Sequence, residues 1–249
     1  MGLPISGDDL VLSGSFNVRD VGGLPTADGR SVRPGMLLRS AHLGDLDDDG
    51  RAALTALGVD EVIDLRAPAE CDAEGYDALP GHVRGRVLPF AVDRSSFSAR
   101  GMSADAVRGH MSDIYRTYPN LSGASAAILA IVESIADGRS VLVHCAAGKD
   151  RTGWAVASVL RAAGVPETAV HADYLRSNDA VDHLRQMVIR RHPDAESIPV
   201  DYLGVHVDYL RSADAAMAAT HGDTAGYLAA CGIGPDLLTR FAERFVTDH

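Results

Sequence analysis

A cysteine stands at position 145 where an apolar run stops, and an arginine follows six residues later, in the stretch VLVHCAAGKDRTGWAVASVL (141–160). A thiol and a guanidinium at that separation suit the chemistry of an anion. The run VLVH reads as a buried strand, and the apolar pattern from Thr152 onward reads as a helix. The residues between them therefore form a loop at a helix N-terminus, where unpaired amide N–H groups and the helix dipole favour a negative ligand. A thiol in such a place ionises readily. Its pKa falls from about 8.5 to about 3.5–7.5 when a dipole and nearby cations favour the thiolate. Arg151 can return across the loop and grip a phosphate with its planar fork. The Thr152 hydroxyl can donate to the sulfur, Gly148 and Gly153 permit close backbone approach, and His144 can support the base of the loop. These parts make a nucleophile inside an oxyanion cradle, fit for phosphoryl transfer.

Two bland alternatives fit less well. A nucleotide-binding loop needs Ser or Thr after its lysine and a glycine at the place of Val143, whereas Lys149 is followed by Asp150. A purely structural cysteine leaves the cluster Lys149, Asp150 and Arg151 beside it without a reason.

The elements that must position this loop follow from the rest of the chain. Met36 to Arg39, VDEVIDL (59–65), RVLPF (86–90) and RSVLVH (139–144) read as strands, the last of the continuous apolar kind buried in parallel sheets. LDDDGRAALTALG (46–58), ADAVRGHMSDIYRTYP (104–119) and SGASAAILAIVESIADG (122–138) read as helices, with a polar loop after Phe90. From Arg151 onward everything reads as helical, in segments near 151–163, 167–176, 178–191, 205–220, 222–231 and 234–246. Strands alternating with helices predict an α/β fold, a mainly parallel sheet flanked by helices on both faces, with a helical C-terminal part. No low-complexity linker divides the chain, so residues 1–249 are expected to form a single domain. The near-repeat DYLRSNDAV (173–181) and DYLRSADAA (208–216) reads as a coincidence of helix-surface composition, because the residues between the copies do not match.

Composition sets the outer limits. With 34 acids against 23 bases the net charge is −11, so a basic face for nucleic acid is not expected and an anionic substrate must be drawn by a local field. Three cysteines, far apart and without a CxxC pair, point to a reducing compartment rather than a disulfide framework. The N-terminus lacks a signal-peptide pattern and no apolar stretch reaches a membrane span. A cytoplasmic protein without stable membrane insertion is expected, with leaderless secretion left open, as is the oligomeric state.

HCAAGKDRTG (144–153) resembles the His-Cys-x5-Arg-Ser/Thr signature of cysteine-dependent phosphatases, in the GKDRTG form of a bacterial tyrosine phosphatase family. FNVRDVGG (16–23), RSAHL (39–43), VIDLRAPAE (62–70), LPF (88–90), ADYLRSNDAV (172–181) and GDTAGYLAACGI (222–233) resemble further segments of that family, in order and over nearly the whole chain. The resemblance implies a cysteine-phosphatase fold and a two-step reaction without metal or organic cofactor. Cys145 attacks phosphorus, Arg151 and the loop from Ala146, Ala147, Gly148 and Lys149 to Thr152 and Gly153 hold the oxygens, and water hydrolyses the phosphocysteine. The implied substrates are phosphotyrosine proteins, with phosphoinositides as an extension. It also implies Asp150 as the acid that protonates the leaving oxygen, with Asp93 and Asp113 as rivals. Lys149 has two readings: it meets a second phosphate on an inositol ring, or it pairs with an acid such as Asp93. Arg66 and Glu70 read as a structural ion pair, and Cys71 as a free thiol near the surface. Some relatives imply a disulfide between Cys71 and Cys145 instead. The ten histidines show no ligand spacing. A rhodanese-type sulfur carrier and a non-catalytic phospho-binding module are the rival functions. The Arg-Thr-Gly ending speaks against the first, and the intact Cys145, Asp150 and Arg151 against the second.

Overall fold

Short apolar runs and amphipathic stretches alternate along the first part of the chain, and the computed structural model, which describes residues 10–92, 101–191 and 198–248, turns them into strands and helices. The first half holds β1 (Arg19–Asp20), β2 (Ser31–Val32), β3 (Leu37–Ser40), α1 (Asp48–Ala56), β4 (Glu61–Asp64), α2 (Pro68–Glu74), β5 (Arg84–Val87) and α3 (Ala104–Thr117). Next come α4 (Ser122–Ala136), β6 (Val141–His144), α5 (Asp150–Ala162), α6 (Glu167–Leu175) and α7 (Val181–Arg191). The chain ends with α8 (Val200–Leu203), α9 (Val207–His221), α10 (Thr224–Ala230), α11 (Pro235–Phe245) and β7 (Val246–Thr247).

Five strands form one sheet in the order β1-β3-β6-β4-β5, parallel except for β1. Side chains alternate between the two faces of a strand, and the alternation divides the core. Leu38, Val62 and Leu142 pack on one face with Leu54 of α1. Leu37, Ile63, Val141 and Val143 pack on the other with Ile128 and Ile131 of α4 and Val156 and Val159 of α5. Each such side chain, fully buried, contributes about 1.5–3 kcal/mol. The mainly parallel, helix-flanked architecture agrees with the sequence expectation.

Several short elements escape the sequence reading, among them α2 and β7. The segment after Arg66 turns into α2, started by Pro68 in its first turn and by the Glu70 carboxylate accepting from the Ala67 amide at 2.8 Å. The C-terminal part is not wholly helical either: β7 pairs antiparallel with β2, which ties the end of the chain to its beginning. Among the described residues, no single helix is long and apolar enough to cross a membrane.

Candidate active site

Register brings three strand ends together. His144 at the end of β6 stands opposite Ser40 on β3 and Asp64 on β4. The loops leaving these three parallel strands therefore share one edge of the sheet, the place where open parallel sheets hold ligands. Cys145 opens the central loop and α5 closes it.

The sulfur lies at the start of this loop with its side chain almost wholly buried. Burial pushes the Cys145 thiol up, but the Arg151 guanidinium and hydrogen bonds from the Thr152 hydroxyl and amide outweigh it. The thiol ends below its ordinary value, although Asp150 opposes the shift. Thr152 is fully buried, where its hydroxyl serves the thiolate rather than solvent. Arg151 does not hang loose. Glu70 holds its Nη1 and Nη2 at 2.6 Å each, and the Leu65 carbonyl adds a contact to Nη1 at 3.4 Å. The same Glu70 carboxylate caps α2, so that helix sets the plane of the fork. The expected Arg66–Glu70 pair is thus replaced by Arg151–Glu70. Arg66 turns instead to Asp64 and Asp77, at 2.8 and 2.9 Å.

The carbonyl side of the loop is pinned from outside. The His42 amide donates to Ala146 O at 3.2 Å. Asn17 Nδ2 donates to Ala147 O and Gly148 O at 3.1 and 3.0 Å, and Arg39 Nη2 to Gly148 O at 2.8 Å. Carbonyl and N–H of one planar trans peptide point opposite ways. Pinning these three carbonyls directs the amides of Ala147, Gly148 and Lys149 to the inner side of the loop. Gly148 has φ +67°, and a Cβ there would stand 2.1 Å from Ser40 O, so no larger residue fits. Asn17 itself sits at φ +55°, a left-handed conformation that Asn tolerates better than most residues.

Behind these donors lies a buried charge lattice. Asp173 accepts from Arg19 Nε at 2.7 Å and from Arg39 Nη1 at 2.6 Å, and Ser177 Oγ accepts from both arginines. Burial raises the Asp173 carboxyl, yet the two guanidinium groups pull it below the usual carboxylate range. Burial and the neighbouring Arg39 lower Arg19 to about 10. Arg19 Nη1 also donates to Asn17 Oδ1 at 2.6 Å, so the lattice reaches the loop through Asn17 and Arg39 alike.

Beneath Cys145, His144 Nε2 meets Asp77 at 2.8 Å and His144 Nδ1 meets the Cys145 carbonyl at 3.2 Å. Burial opposes a charge on this imidazole, but Asp77 and Asp64 outweigh it and raise the His144 pKa. Asp64, Asp77 and His144 bring potential metal-ligand atoms within 4.8 Å of one another. The Arg66 guanidinium already bridges both carboxylates, and a raised imidazole pKa disfavours the neutral form a metal requires. The residues do not fit a metal site. Cys71, expected near the surface, is instead fully buried here, and its Sγ lies 3.4 Å from Asp64 Oδ2. Burial and Asp64 push this thiol up to about 11, which makes it inert compared with Cys145. All three cysteines are free thiols.

The three acids expected as rivals part company. Asp150 is buried at the first position of α5, where Tyr115 Oη donates to its Oδ1 at 3.0 Å and Lys149 Nζ lies 3.5 Å from its Oδ2. Asp113 lies on the solvent side of α3, paired with Arg116. Asp93 falls outside the described residues, and so does any pair it makes with Lys149. Lys149, expected to meet a second phosphate or an acid, is found buried: Nζ donates to Tyr202 O at 2.7 Å and Gly204 O at 3.1 Å. The last carbonyls of a helix lack internal partners, and the carbonyls at the end of α8 take this ammonium as their donor.

The model of the tyrosine phosphatase family matches residues 10–247. The chain belongs to the tyrosine phosphatase family. Its relatives include the triple specificity protein phosphatase PtpB of Mycobacterium tuberculosis, 37% identical over 92% of this chain and 96% of that protein. A tyrosine-protein phosphatase of Nostoc commune is 31% identical over 64% of this chain and 58% of that protein. Among solved structures, P. aeruginosa TpbA is a distant match, with TM-score 0.36 and 18% identity over 82% of this chain and 90% of that one.

Within this phosphatase the sequence reading finds the loop and misses what supports it. Asn17, Arg19, Arg39 and Asp173 stand inside recognised segments, but only the structure shows them meeting behind the loop. Asp20, in the same N-terminal segment, accepts from the Gly22 and Gly35 amides at 2.8 and 2.6 Å and so fixes the turn that follows β1. Asp77 and Tyr115 carry no sequence signal at all.

Proposed function

We propose that this member of the family is a cysteine-dependent phosphatase that hydrolyses phosphotyrosine through a phosphocysteine intermediate. The observation that carries the reading is a buried Cys145 between β6 and the N-terminus of α5, with the Arg151 fork held in place by Glu70 and the thiol favoured as thiolate by Arg151 and Thr152. In the first step the Cys145 sulfur attacks phosphorus while the P–O bond to the tyrosine breaks. Arg151 and the inner amides of the loop bind the equatorial oxygens, where preorganised donors are worth most. Asp150 gives its proton to the departing phenolate oxygen, then takes a proton from the water that hydrolyses the phosphocysteine and releases inorganic phosphate. Glu70 keeps the Arg151 fork in its plane throughout.

A broader substrate range that takes in phosphoinositides draws support from a relative named a triple specificity phosphatase. The position of Lys149 does not add to that support, since its ammonium serves the carbonyls behind the loop. The matched span of residues 10–247 supports one phosphatase domain. Three free thiols suit work in a reducing, cytoplasmic compartment.

Cys145→Ser tests the reading. Turnover of p-nitrophenyl phosphate should vanish while binding of a phosphotyrosine peptide persists, because a poor nucleophile then sits in an intact anion loop. A variant that keeps a tenth of wild-type activity contradicts the covalent mechanism.

A further inference from the structure

The acid in the loop rests on a tyrosine from another element. Asp150 Oδ1 accepts from Tyr115 Oη at 3.0 Å, and Tyr115 Oη is 2.8 Å from Tyr174 Oη. Both tyrosines are almost completely buried, and burial together with Asp150 pushes their hydroxyls well above the ordinary value. They therefore stay protonated, and each keeps one proton to donate. A phenol has one proton, so when Tyr115 donates to Asp150, Tyr174 must supply the hydrogen bond to Tyr115. Rings on both sides fix the geometry: Tyr115 stacks on Tyr118 at 4.5 Å between centroids, and the Tyr209 ring lies 5.4 Å away.

We propose that Tyr115, backed by Tyr174, is a positioning residue that fixes the Asp150 carboxyl for proton delivery to the leaving oxygen. The inference rests on Asp150 being the general acid. No proton leaves either tyrosine. As the P–O bond breaks, the Asp150 proton moves to the leaving oxygen, and the hydrogen bond from Tyr115 strengthens onto the new carboxylate. A donor already aimed at the place where charge develops favours that step. Among the described residues, the other groups that face Asp150 include Lys149 and Cys145 on its own loop and Tyr209 from α9.

The test compares two substrates that differ in their need for a proton. Tyr115→Phe keeps the ring and removes the donor. It should lower kcat on phenyl phosphate about tenfold or more, the scale of a hydrogen bond to a charged group. On p-nitrophenyl phosphate, whose leaving group needs no proton, kcat should change less than about threefold, and KM should hold for both. In an Asp150→Asn background the same change should add nothing to the selective loss. Tyr174→Phe should show the same selectivity at smaller size, which keeps the test open should Tyr115→Phe fold poorly. Tyr209→Phe, in the same aromatic group, should show none. Equal slowing of both substrates, or losses that multiply in the Asp150→Asn background, overturns the proposal. Selectivity from Asp150→Asn with none from either Tyr115→Phe or Tyr174→Phe overturns the proposal alone. No selectivity from Asp150→Asn overturns the acid assignment and the proposal with it.

Discussion

Asp173-Tyr-Leu-Arg-Ser and Asp208-Tyr-Leu-Arg-Ser are the same five residues on two helices, and they do different work. In both copies the tyrosine is buried, and Tyr174 and Tyr209 approach the same Tyr115 ring. The aspartates part. Asp208 is 76% exposed and pairs with Arg211 one helical turn on. Asp173 is 5% exposed and holds Arg19 and Arg39 behind the phosphate loop. The reading of the repeat as helix-surface composition fits the second copy and fails for the first. A local sequence decides which face of a helix turns inward. What that face meets decides whether a carboxylate is solvated or becomes the keystone of a buried lattice.

The largest effect should come from cutting the buried copy. Asp173→Asn leaves two buried guanidinium groups short of their counter-charge, a change that costs about 3–5 kcal/mol where one partner of a buried ion pair is removed. Urea unfolding should show that loss. Asp208→Asn should shift the midpoint by no more than the error of the measurement, as most surface changes do. Equal costs at the two sites would break the comparison.

A smaller, pH-dependent difference sharpens it. Asp173 is held below the usual carboxylate value in the folded protein, so its stabilisation is complete above the unfolded pKa of about 3.9 and is lost as pH falls through the folded value. Acid unfolding below about pH 4 should therefore be less steep in Asp173→Asn than in the wild type. Asp208→Asn should keep the wild-type slope. A wild-type slope in Asp173→Asn would mean that the lattice does not hold the carboxylate ionised.

The phosphate loop is legible in the sequence because its parts are contiguous. Nucleophile, glycines, arginine and threonine fall within ten residues between a strand and a helix that read clearly. The longer helices and the central strands are legible for the same reason of local period. What escapes depends on distance along the chain. Arg39 and Asp173 are 134 residues apart, and Arg151 and Glu70 are 81 apart. Glu70 invites pairing with Arg66 by its i,i+4 spacing, but Arg66 lies in the turn before α2 begins at Pro68, so helical spacing does not apply. Lys149 is drawn inward by main-chain carbonyls, which leave no trace in residue types. The two-residue strand β7 is too short to show a period.

The central claim is that Cys145 carries the phosphate during turnover. Acid quench within milliseconds of mixing wild-type protein with p-nitrophenyl phosphate, followed by peptide mass spectrometry, tests it directly. The account predicts phosphate on the Cys145 peptide in wild type and none in Cys145→Ser. Rapid turnover with no labelled Cys145 peptide, or label on another residue, would contradict it.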